Sequence, residues 1–273
     1  MKMGPGKVAW VSVMASLLLG ATSAGAQAPA GRDYVKDPLQ LLLDCQAEQA
    51  KVTGFTATLT KHECIDGRLR DPETMFLKCR YSRPTMQPFS VYMKWTKNPN
   101  KDREVIYVGG ENDDKVIGHQ PVGPMNFELK SDPDGAEARK ESLRPITQVG
   151  FKSAIDILVK VTDEARAAGD LSLVCIDNQK YDDRPCWMLV RVLPKKPAYP
   201  AHISYVYVDK ELMAPVRIAG FDWDDNLFAS YSYGHVKLNV RFTANDFSRD
   251  NKEYNWPVQL FGKFKLGEDK RRR

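Results

Sequence analysis

Beyond its first 26 residues, the sequence lacks any apolar run long enough to form a membrane helix. Such a helix needs about 20 apolar residues, and the N-terminal run from Val8 to Leu19 is shorter. This run follows a basic start and precedes Ala24-Gly25-Ala26, an order typical of a secretory signal peptide and its cleavage site. We therefore predict a signal peptide at residues 1–26 and a soluble mature protein, periplasmic or secreted. The alternative is a retained membrane anchor.

The central part of the chain also lacks an excess of either charge. The full chain has a formal charge of +5, of which residues 1–26 carry +2 and residues 263–273 carry +4. A nucleic-acid-binding domain needs clustered Lys and Arg on its folded surface, so we expect no nucleic-acid partner. We expect the basic tail, residues 263–273, to be a solvated, disordered end. The alternative is contact of this tail with an anionic membrane surface.

Signatures of catalysis and of cofactor binding are absent. The sequence has no G-x-S-x-G, no H-E-x-x-H, no P-loop and no dinucleotide fingerprint. His62-Glu63-Cys64 has no second ligand pair for zinc. The cluster Asp222–Asp225 lacks the Gly and the distant Glu of a calcium loop, and its composition favours a hairpin turn. We predict a non-enzymatic protein with no cofactor and no metal; the alternative is a hydrolase that uses the aspartate cluster.

Cysteine is sparse, and all five cysteines follow the signal peptide. They are Cys45, Cys64, Cys79, Cys175 and Cys186. In an oxidising compartment cysteines are usually bridged, and a hairpin centred between Lys180 and Tyr181 would place Cys175 opposite Cys186 at a disulfide-compatible spacing. We predict this disulfide, with a reduced cross-strand pair as the alternative. The other pairings stay open: Cys79 with Cys64, or Cys79 with Cys45, with one cysteine left over.

The hydrophobic pattern predicts an α+β fold. Apolar and polar residues alternate in short runs such as FTATLTKHE, TMFLKCRY and FSVYMKWT, which is typical of half-buried antiparallel strands. Helical periodicity occurs over Asp37–Val52, with Asp37 as N-cap and Pro38 at the first position, and over about Gly150–Ala168. A Pro- and Gly-rich loop is predicted at His119–Arg144. The whole corresponds to about ten strands and two helices in one domain, residues 27–262.

Five sequence blocks carry a family resemblance. They are PFSVYMKW (88–95), REVIYVGG (103–110), RPITQVGF (144–151), HISYVYVDKELMAPVR (202–217) and YSYGHVKLNVRFTANDF (231–247). These blocks resemble a bacterial family of exported proteins of unknown function, placed among the LolA/LolB-like lipoprotein-carrier folds. The resemblance covers about Asp37–Trp256 and departs at Asp102, where the family has Gly. It implies a strongly curved antiparallel β-sheet, an open half-barrel, with helices on the concave face. Related carriers hold acyl chains there.

One set of apolar residues is the candidate ligand site. It consists of the inward-facing residues of neighbouring predicted strands, Met75, Leu77, Val91, Met93 and Trp95. Apolar and aromatic walls are typical of ligand cavities, and Met adapts to irregular partners. The leading hypothesis is a binding protein that holds or relays a lipid, a lipoprotein-like molecule or another apolar ligand, with the helix at Gly150–Ala168 as plug or lid. The alternative is a filled core in a structural or interaction protein of the envelope.

Overall fold

The computed structural model describes residue 29 and residues 31–82, 88–97, 100–122 and 125–256. The predicted signal peptide and the basic tail lie outside these residues. Three α-helices are described: α1 (Pro38–Gln49), α2 (Ala136–Glu141) and α3 (Phe151–Ala167). The strands are β1 (Gly54–Ile65), β2 (Arg68–Leu69), β3 (Glu73–Arg80), β4 (Ser90–Trp95), β5 (Glu104–Val108), β6 (Val116–Val122), β7 (Met125–Ser131), β8 (Ser172–Tyr181), β9 (Arg184–Val192), β10 (Ile203–Asp209), β11 (Ala214–Phe221) and β12 (Leu227–Leu238).

The strands form one open antiparallel sheet, which confirms the predicted α+β class. Its order is β7-β6-β5-β4-β3-β1-β12-β11-β10-β9-β8, and β2 pairs only with β1. The described residues contain twelve strands rather than about ten, because the region His119–Arg144, predicted as a loop, contains part of β6 and all of β7 and α2. Proline cannot donate a backbone hydrogen bond to a neighbouring strand, so it is found where a strand has only one partner. Pro121 meets this condition, because β6 pairs with β5 only as far as His119 and with β7 alone beyond it.

Both predicted helices form, and both pack on the same side of the sheet. The side chain of Asp37 accepts a hydrogen bond from the backbone N–H of Gln40 at 3.2 Å, so α1 is capped as expected. Helix α3 contacts α1 and β11, and α1 contacts β8 and β11. Buried apolar residues of both helices and of β8–β11 form one cluster that includes Leu41, Ile155 and Val206. This cluster holds the helices on the inner face.

The C-terminal part of the described chain covers the outer face of the sheet. Tyr254 stacks on Tyr92 of β4, with ring centroids 3.9 Å apart. The Lys78 ammonium on β3 lies 2.9 Å from an Asp246 carboxylate oxygen. With Phe247 and Trp256, this segment buries an outer apolar cluster, so β3–β6 have packed side chains on both faces.

The predicted Cys175–Cys186 disulfide is wrong. The β8–β9 turn consists of Asp182 and Asp183, both at positive φ, because aspartate tolerates the left-handed conformation that a two-residue hairpin turn requires. The turn is therefore two residues later than predicted. Cys175 lies opposite Leu189, and Cys186 lies three residues away along β9, about 10 Å and beyond disulfide reach. All five cysteines, each within the described ranges, are free thiols.

The aspartate cluster between β11 and β12 is a turn, as predicted. One carboxylate oxygen of Asp222 accepts the backbone N–H groups of Asp224 and Asn226, each at 2.9 Å. The Asp222 carboxylate is therefore engaged by its own backbone, as in other aspartate turns. Asp102, where the resembling family has Gly, likewise has a positive φ of 67°, so aspartate maintains the backbone conformation that glycine favours.

Gly150, directly before α3, gives a test of how tightly this helix is seated. Its φ of 104° and ψ of 173° belong to a region that is essentially restricted to Gly, and an added Cβ would lie 2.6 Å from the Tyr81 hydroxyl and 3.1 Å from Phe55. We expect Gly150→Ala to lower the free energy of unfolding by about 4 kcal/mol through backbone strain and overlap. Urea denaturation measures the loss.

The matched control is Gly169→Ala at the other end of α3. Gly169 also has a positive φ, of 72°, but an added Cβ would meet nothing within 4 Å. This variant should lose only about 1 kcal/mol, the cost of the backbone conformation alone. Equal losses in the two variants would contradict the tight seating of α3 on Tyr81 and Phe55.

Candidate ligand cavity

The inner face of the sheet encloses a cavity of about 1010 Å³. Its wall is contributed by strands from β7 at one edge to β9 near the other, by α3, and by residues 132–149, here called the cover segment. A cavity that touches strands so far apart requires the sheet to curve around it, as predicted. Ligand sites typically have volumes of about 300–1000 Å³, so this cavity has room for a sizeable molecule.

The predicted site residues divide into two groups along the strands. Met75, Met93 and Trp95 line the cavity. Leu77 and Val91 do not; both are fully buried in the inner core cluster.

The start of α3 explains this division. Phe151 packs 4.6 Å from the rings of both Phe55 and Tyr233, and Phe55 is paired with Cys79, which is itself paired with Val91. This end of the strands is therefore filled by the aromatic side chain of α3. At the other end Met75 pairs with Trp95, and no aromatic residue of the helix reaches them. Filled core and cavity wall thus occupy different parts of the same strands.

A charged cluster that the sequence analysis did not identify lies beside the apolar wall. The Lys61 ammonium is 3.2 Å from a carboxylate oxygen of Glu63 and 3.0 Å from one of Glu73. The indole N–H of Trp95 donates to Glu73 at 3.0 Å, and the Tyr231 hydroxyl donates to Glu63 at 2.5 Å. The two carboxylates therefore share one cation and are further satisfied by neutral donors, as buried charges require.

Burial and the neighbouring positive charge shift the pKa of Glu73 in opposite directions. Burial alone would raise the pKa of Glu73, but the nearby Lys61 ammonium, with hydrogen bonds from Lys61 and Asn100, holds it below its ordinary value. The pKa of Tyr231 is raised by burial and by the adjacent Glu63 carboxylate. Glu73 is consequently ionised at neutral pH, whereas the Tyr231 hydroxyl stays protonated and donates to Glu63.

The same cluster attaches the cover segment to the sheet. Lys61 donates to the backbone carbonyl of Glu141 at 3.0 Å, and the Ser142 hydroxyl donates to Glu63 at 3.1 Å. Arg103 forms an ion pair with the Glu141 side chain at 3.0 Å. Helix α2, within this segment, has no buried residue. The part of the cover segment around α2 is therefore held over the cavity by polar contacts, whereas Ile146 and Val149 near its end pack against the inner core cluster.

At the opposite side of the cavity, small residues form a row across four strands. Arg191 of β9 pairs with Ser204 of β10, Ser204 with Gly220 of β11, and Gly220 with Ala229 of β12. All four residues line the cavity. Ser204, Gly220 and Ala229 form a trough across the sheet that leads to the Arg191 guanidinium, with the Ala201 methyl group over Gly220.

The sequence contained a signal for these charged residues. In FTATLTKHE the inward phase of Phe55, Ala57 and Leu59 continues to Lys61 and then Glu63. In CWMLVRVL the phase of the buried Leu189 continues to Arg191. A charged residue on the apolar phase of a strand must be paired or functional, because isolated buried charges are costly.

Comparison of the sequence with protein-family models gave one family, described as a protein of unknown function (DUF1571), over residues 52–256. The chain belongs to the DUF1571 family. The resemblance to a family of unknown function is thereby confirmed. No curated protein matches this DUF1571 member.

Several solved structures resemble it at low sequence identity. The MucA/MucB complex of Pseudomonas aeruginosa gives 11% identity over 78% of this chain and 60% of that chain, with a TM-score of 0.46. Lipoprotein LppX of Mycobacterium tuberculosis gives 12% identity over 76% of this chain and 98% of that chain, with a TM-score of 0.45. A LolA superfamily protein of Nitrosomonas europaea gives 11% identity over 77% of this chain and 97% of that chain, with a TM-score of 0.31. These TM-scores are low, so the functional argument depends on the cavity of this chain.

Within the described ranges, none of the helices of this DUF1571 member has the length and the apolar character needed to cross a bilayer. Within the same residues, no three His, Cys, Asp or Glu side chains are arranged to hold a metal ion.

The charged cluster predicts a pH-dependent effect of Lys61→Met. This change leaves Glu63 and Glu73 buried without their shared cation, which should lower the free energy of unfolding at neutral pH by about 3 kcal/mol. In the wild type, the lowered pKa of Glu73 stabilises the fold above the ordinary glutamate value, and this stabilisation is lost as the pH falls through the folded-state value. In the variant the cation is lost and only the hydrogen bonds from Trp95 and Asn100 still oppose the effect of burial on the Glu73 pKa, so protonation of Glu73 relieves part of the damage.

Urea denaturation should therefore show the difference between wild type and Lys61→Met shrinking from neutral pH to near the ordinary glutamate pKa of about 4.3. The control is Lys160→Met on the exposed surface of α3, where the ammonium lies 3.9 Å from Glu164. That variant should show a small loss with no change over the same range. A difference for Lys61→Met that stays constant with pH would contradict the shared-cation arrangement.

Proposed function

We propose that this protein is an exported, non-enzymatic binding protein that holds or relays a lipid or another apolar ligand in its inner cavity. The observation that carries the proposal is the cavity of about 1010 Å³ against the apolar wall of Met75, Met93 and Trp95. Export rests on the signal-peptide pattern of residues 1–26. Contact of the basic tail with an anionic membrane surface would bring the carrier to its source of lipid.

The energetics of such binding are favourable for a long acyl chain. Each buried methylene contributes about 0.8 kcal/mol, so about ten of them would supply roughly 8 kcal/mol, before the cost of immobilising the ligand. The filled-core alternative would need side chains to occupy the space in front of Met75 and Trp95. The volume of the cavity favours the carrier.

The cover segment, rather than α3, is the lid in this proposal. Phe151 and Ile155 of α3 are fully buried, and withdrawing two such side chains would cost several kcal/mol, at about 1.5–3 kcal/mol each. The part of the cover segment around α2 is attached through Lys61, Glu63 and Arg103 to polar groups, which water can replace. This part can therefore open while Ile146 and Val149 stay packed on the core.

The test is lipid carriage by protein purified from the periplasm of an expressing bacterium. Native mass spectrometry and solvent extraction should detect co-purifying lipid in the wild type. Met93→Asp places a charge on the wall, and Ala229→Trp fills the trough while remaining apolar; both should lose the lipid. The two variants differ in chemistry, so a folding defect in one leaves the other informative. Denaturation midpoints identify a variant that has unfolded.

Val174→Asp is the matched control for both. Val174 lies on β8 with 51% of its surface exposed and does not line the cavity, so its lipid content should equal that of the wild type. Wild-type protein without lipid, which also fails to take up added fatty acids, would overturn the carrier proposal. Loss of lipid in Val174→Asp would mean that lipid adheres to the outer surface.

A further inference from the structure

Arg191 is a buried cation that the fold itself leaves incompletely satisfied. Its side chain lines the cavity although the residue is only 6% exposed. One terminal nitrogen donates to the Leu158 carbonyl at 3.3 Å and to the Thr162 hydroxyl at 3.1 Å, both on α3. The Nε–H is buried and has no partner among the described residues. Both acceptors are neutral, so no contact neutralises the charge.

Such a cation is unusual, because buried charges are normally paired with an opposite charge. No carboxylate within the described residues forms an ion pair with Arg191. Burial lowers the pKa of Arg191 to about 10, which still leaves the guanidinium protonated at neutral pH. If its only task were to fasten α3, a neutral donor would serve at a lower desolvation cost. A guanidinium held by neutral acceptors, with its Nε–H free of partners among the described residues, can still bind an anion.

Ser204 adds a second polar group facing the same space. It lies directly opposite Arg191 on the neighbouring strand, is 5% exposed and lines the cavity. Its hydroxyl has no hydrogen-bond partner in the described part of the chain. Beyond it, Gly220 and Ala229 continue the row of small residues. The Ala201 methyl group lies over Gly220, 3.4 Å from where a Cβ would stand, so small side chains border the approach to the guanidinium.

We infer that Arg191 and Ser204 form an anion subsite that binds the oxyanion head group, carboxylate or phosphate, of an amphiphilic ligand whose chain lies along the trough. This inference rests on the proposed function and names the class of ligand. Arginine donors suit carboxylate and phosphate oxygens, and the Ser204 hydroxyl supplies a further donor. The ligand is therefore an anionic lipid bound with its head group inside the cavity.

The spacing of the strands indicates how far such a ligand extends. From β9, which carries Arg191, to β3, which carries Met75, the sheet crosses five strand spacings, a path of about 24 Å at about 4.8 Å per spacing. One long acyl chain spans about 15 Å, half of the hydrocarbon thickness of a bilayer, which is about three spacings. A chain anchored at Arg191 and lying along the sheet therefore passes Ser204 and Gly220 and ends near Ala229 of β12, before the apolar wall at Met75.

The experiment compares probes that differ only in the head group, using delipidated full-length mature protein and isothermal titration calorimetry. The probes are oleate, oleoyl lysophosphatidate, the neutral ester methyl oleate, and inorganic phosphate alone. We expect at least one of the two anionic lipids to bind about tenfold or more tightly than methyl oleate. This is the gain in affinity that one hydrogen bond to a charged group supplies. Arg191→Met should remove this preference while leaving the affinity for methyl oleate nearly unchanged.

Ser204→Asp is a second variant that does not depend on losing the guanidinium. Facing β-carbons of an antiparallel pair lie about 4.5–5.5 Å apart, so the new carboxylate would pair with Arg191 and occupy the subsite. It should abolish the preference for anionic lipid with the fold intact. Arg217→Met on β11 is the matched control, because Arg217 stacks on Tyr181 and Tyr207 and does not line the cavity. It should behave as wild type.

The outcomes separate the two proposals. If neither lipid nor ester binds, the carrier function fails and the subsite with it. If ester and anionic lipids bind equally well, the carrier stands and the subsite is wrong. If inorganic phosphate binds as tightly as the lipids and Arg191→Met abolishes this, the site takes a free oxyanion and the head-group assignment is overturned. A preference for anionic lipid that persists in both Arg191→Met and Ser204→Asp would also overturn it.

Discussion

The structure depends on the need to cover one apolar face of an open sheet. Phe151 at the start of α3 meets this need where it packs on Phe55 and Tyr233, with ring centroids 4.6 Å from each. Because Gly150 has no side chain, the helix comes close to Tyr81. Large aromatic side chains contribute most to such contacts. Beyond their reach the inner face is not filled, and the cavity begins there.

The cavity combines an apolar wall with charges at both of its sides. Near the wall, Glu63 and Glu73 share the single cation of Lys61, which leaves a net charge of −1, and the cluster fastens the cover segment. Across the trough, the contacts of Arg191 among the described residues are with neutral groups. A net negative charge at one side and an unneutralised cation at the other give the cavity a direction, because an anionic head group gains most at Arg191. An amphiphile suits this polarity better than a purely apolar molecule.

Part of this site was predictable. The alternation in β1, β3 and β4 correctly assigned the inward phase, since the period of two is a local property of the chain. It did not separate Leu77 from Met75, because both share that phase, and only Phe151, distant in sequence, decides which is covered. The disulfide prediction failed because the register depends on the turn residues. The aspartates at 182–183 place the turn two positions later, and with the irregularity between Ile176 and Gln179 the partner of Cys175 becomes Leu189, three residues from Cys186.

The sequence by itself determined the antiparallel sheet, the two long helices, the Asp37 cap of α1, the aspartate turn and, through comparison with family models, the membership of the DUF1571 family. The structural features follow from local periodicity, capping and turn chemistry, which act between residues close in the chain. The tertiary structure alone decided where the inner face is filled, that the region before Arg144 contains strand and helix, and that Arg191, without an ion-pair partner among the described residues, lies opposite Ser204. Pairing across strands and packing of α3 bring together residues far apart in sequence, and no local pattern specifies which of them meet.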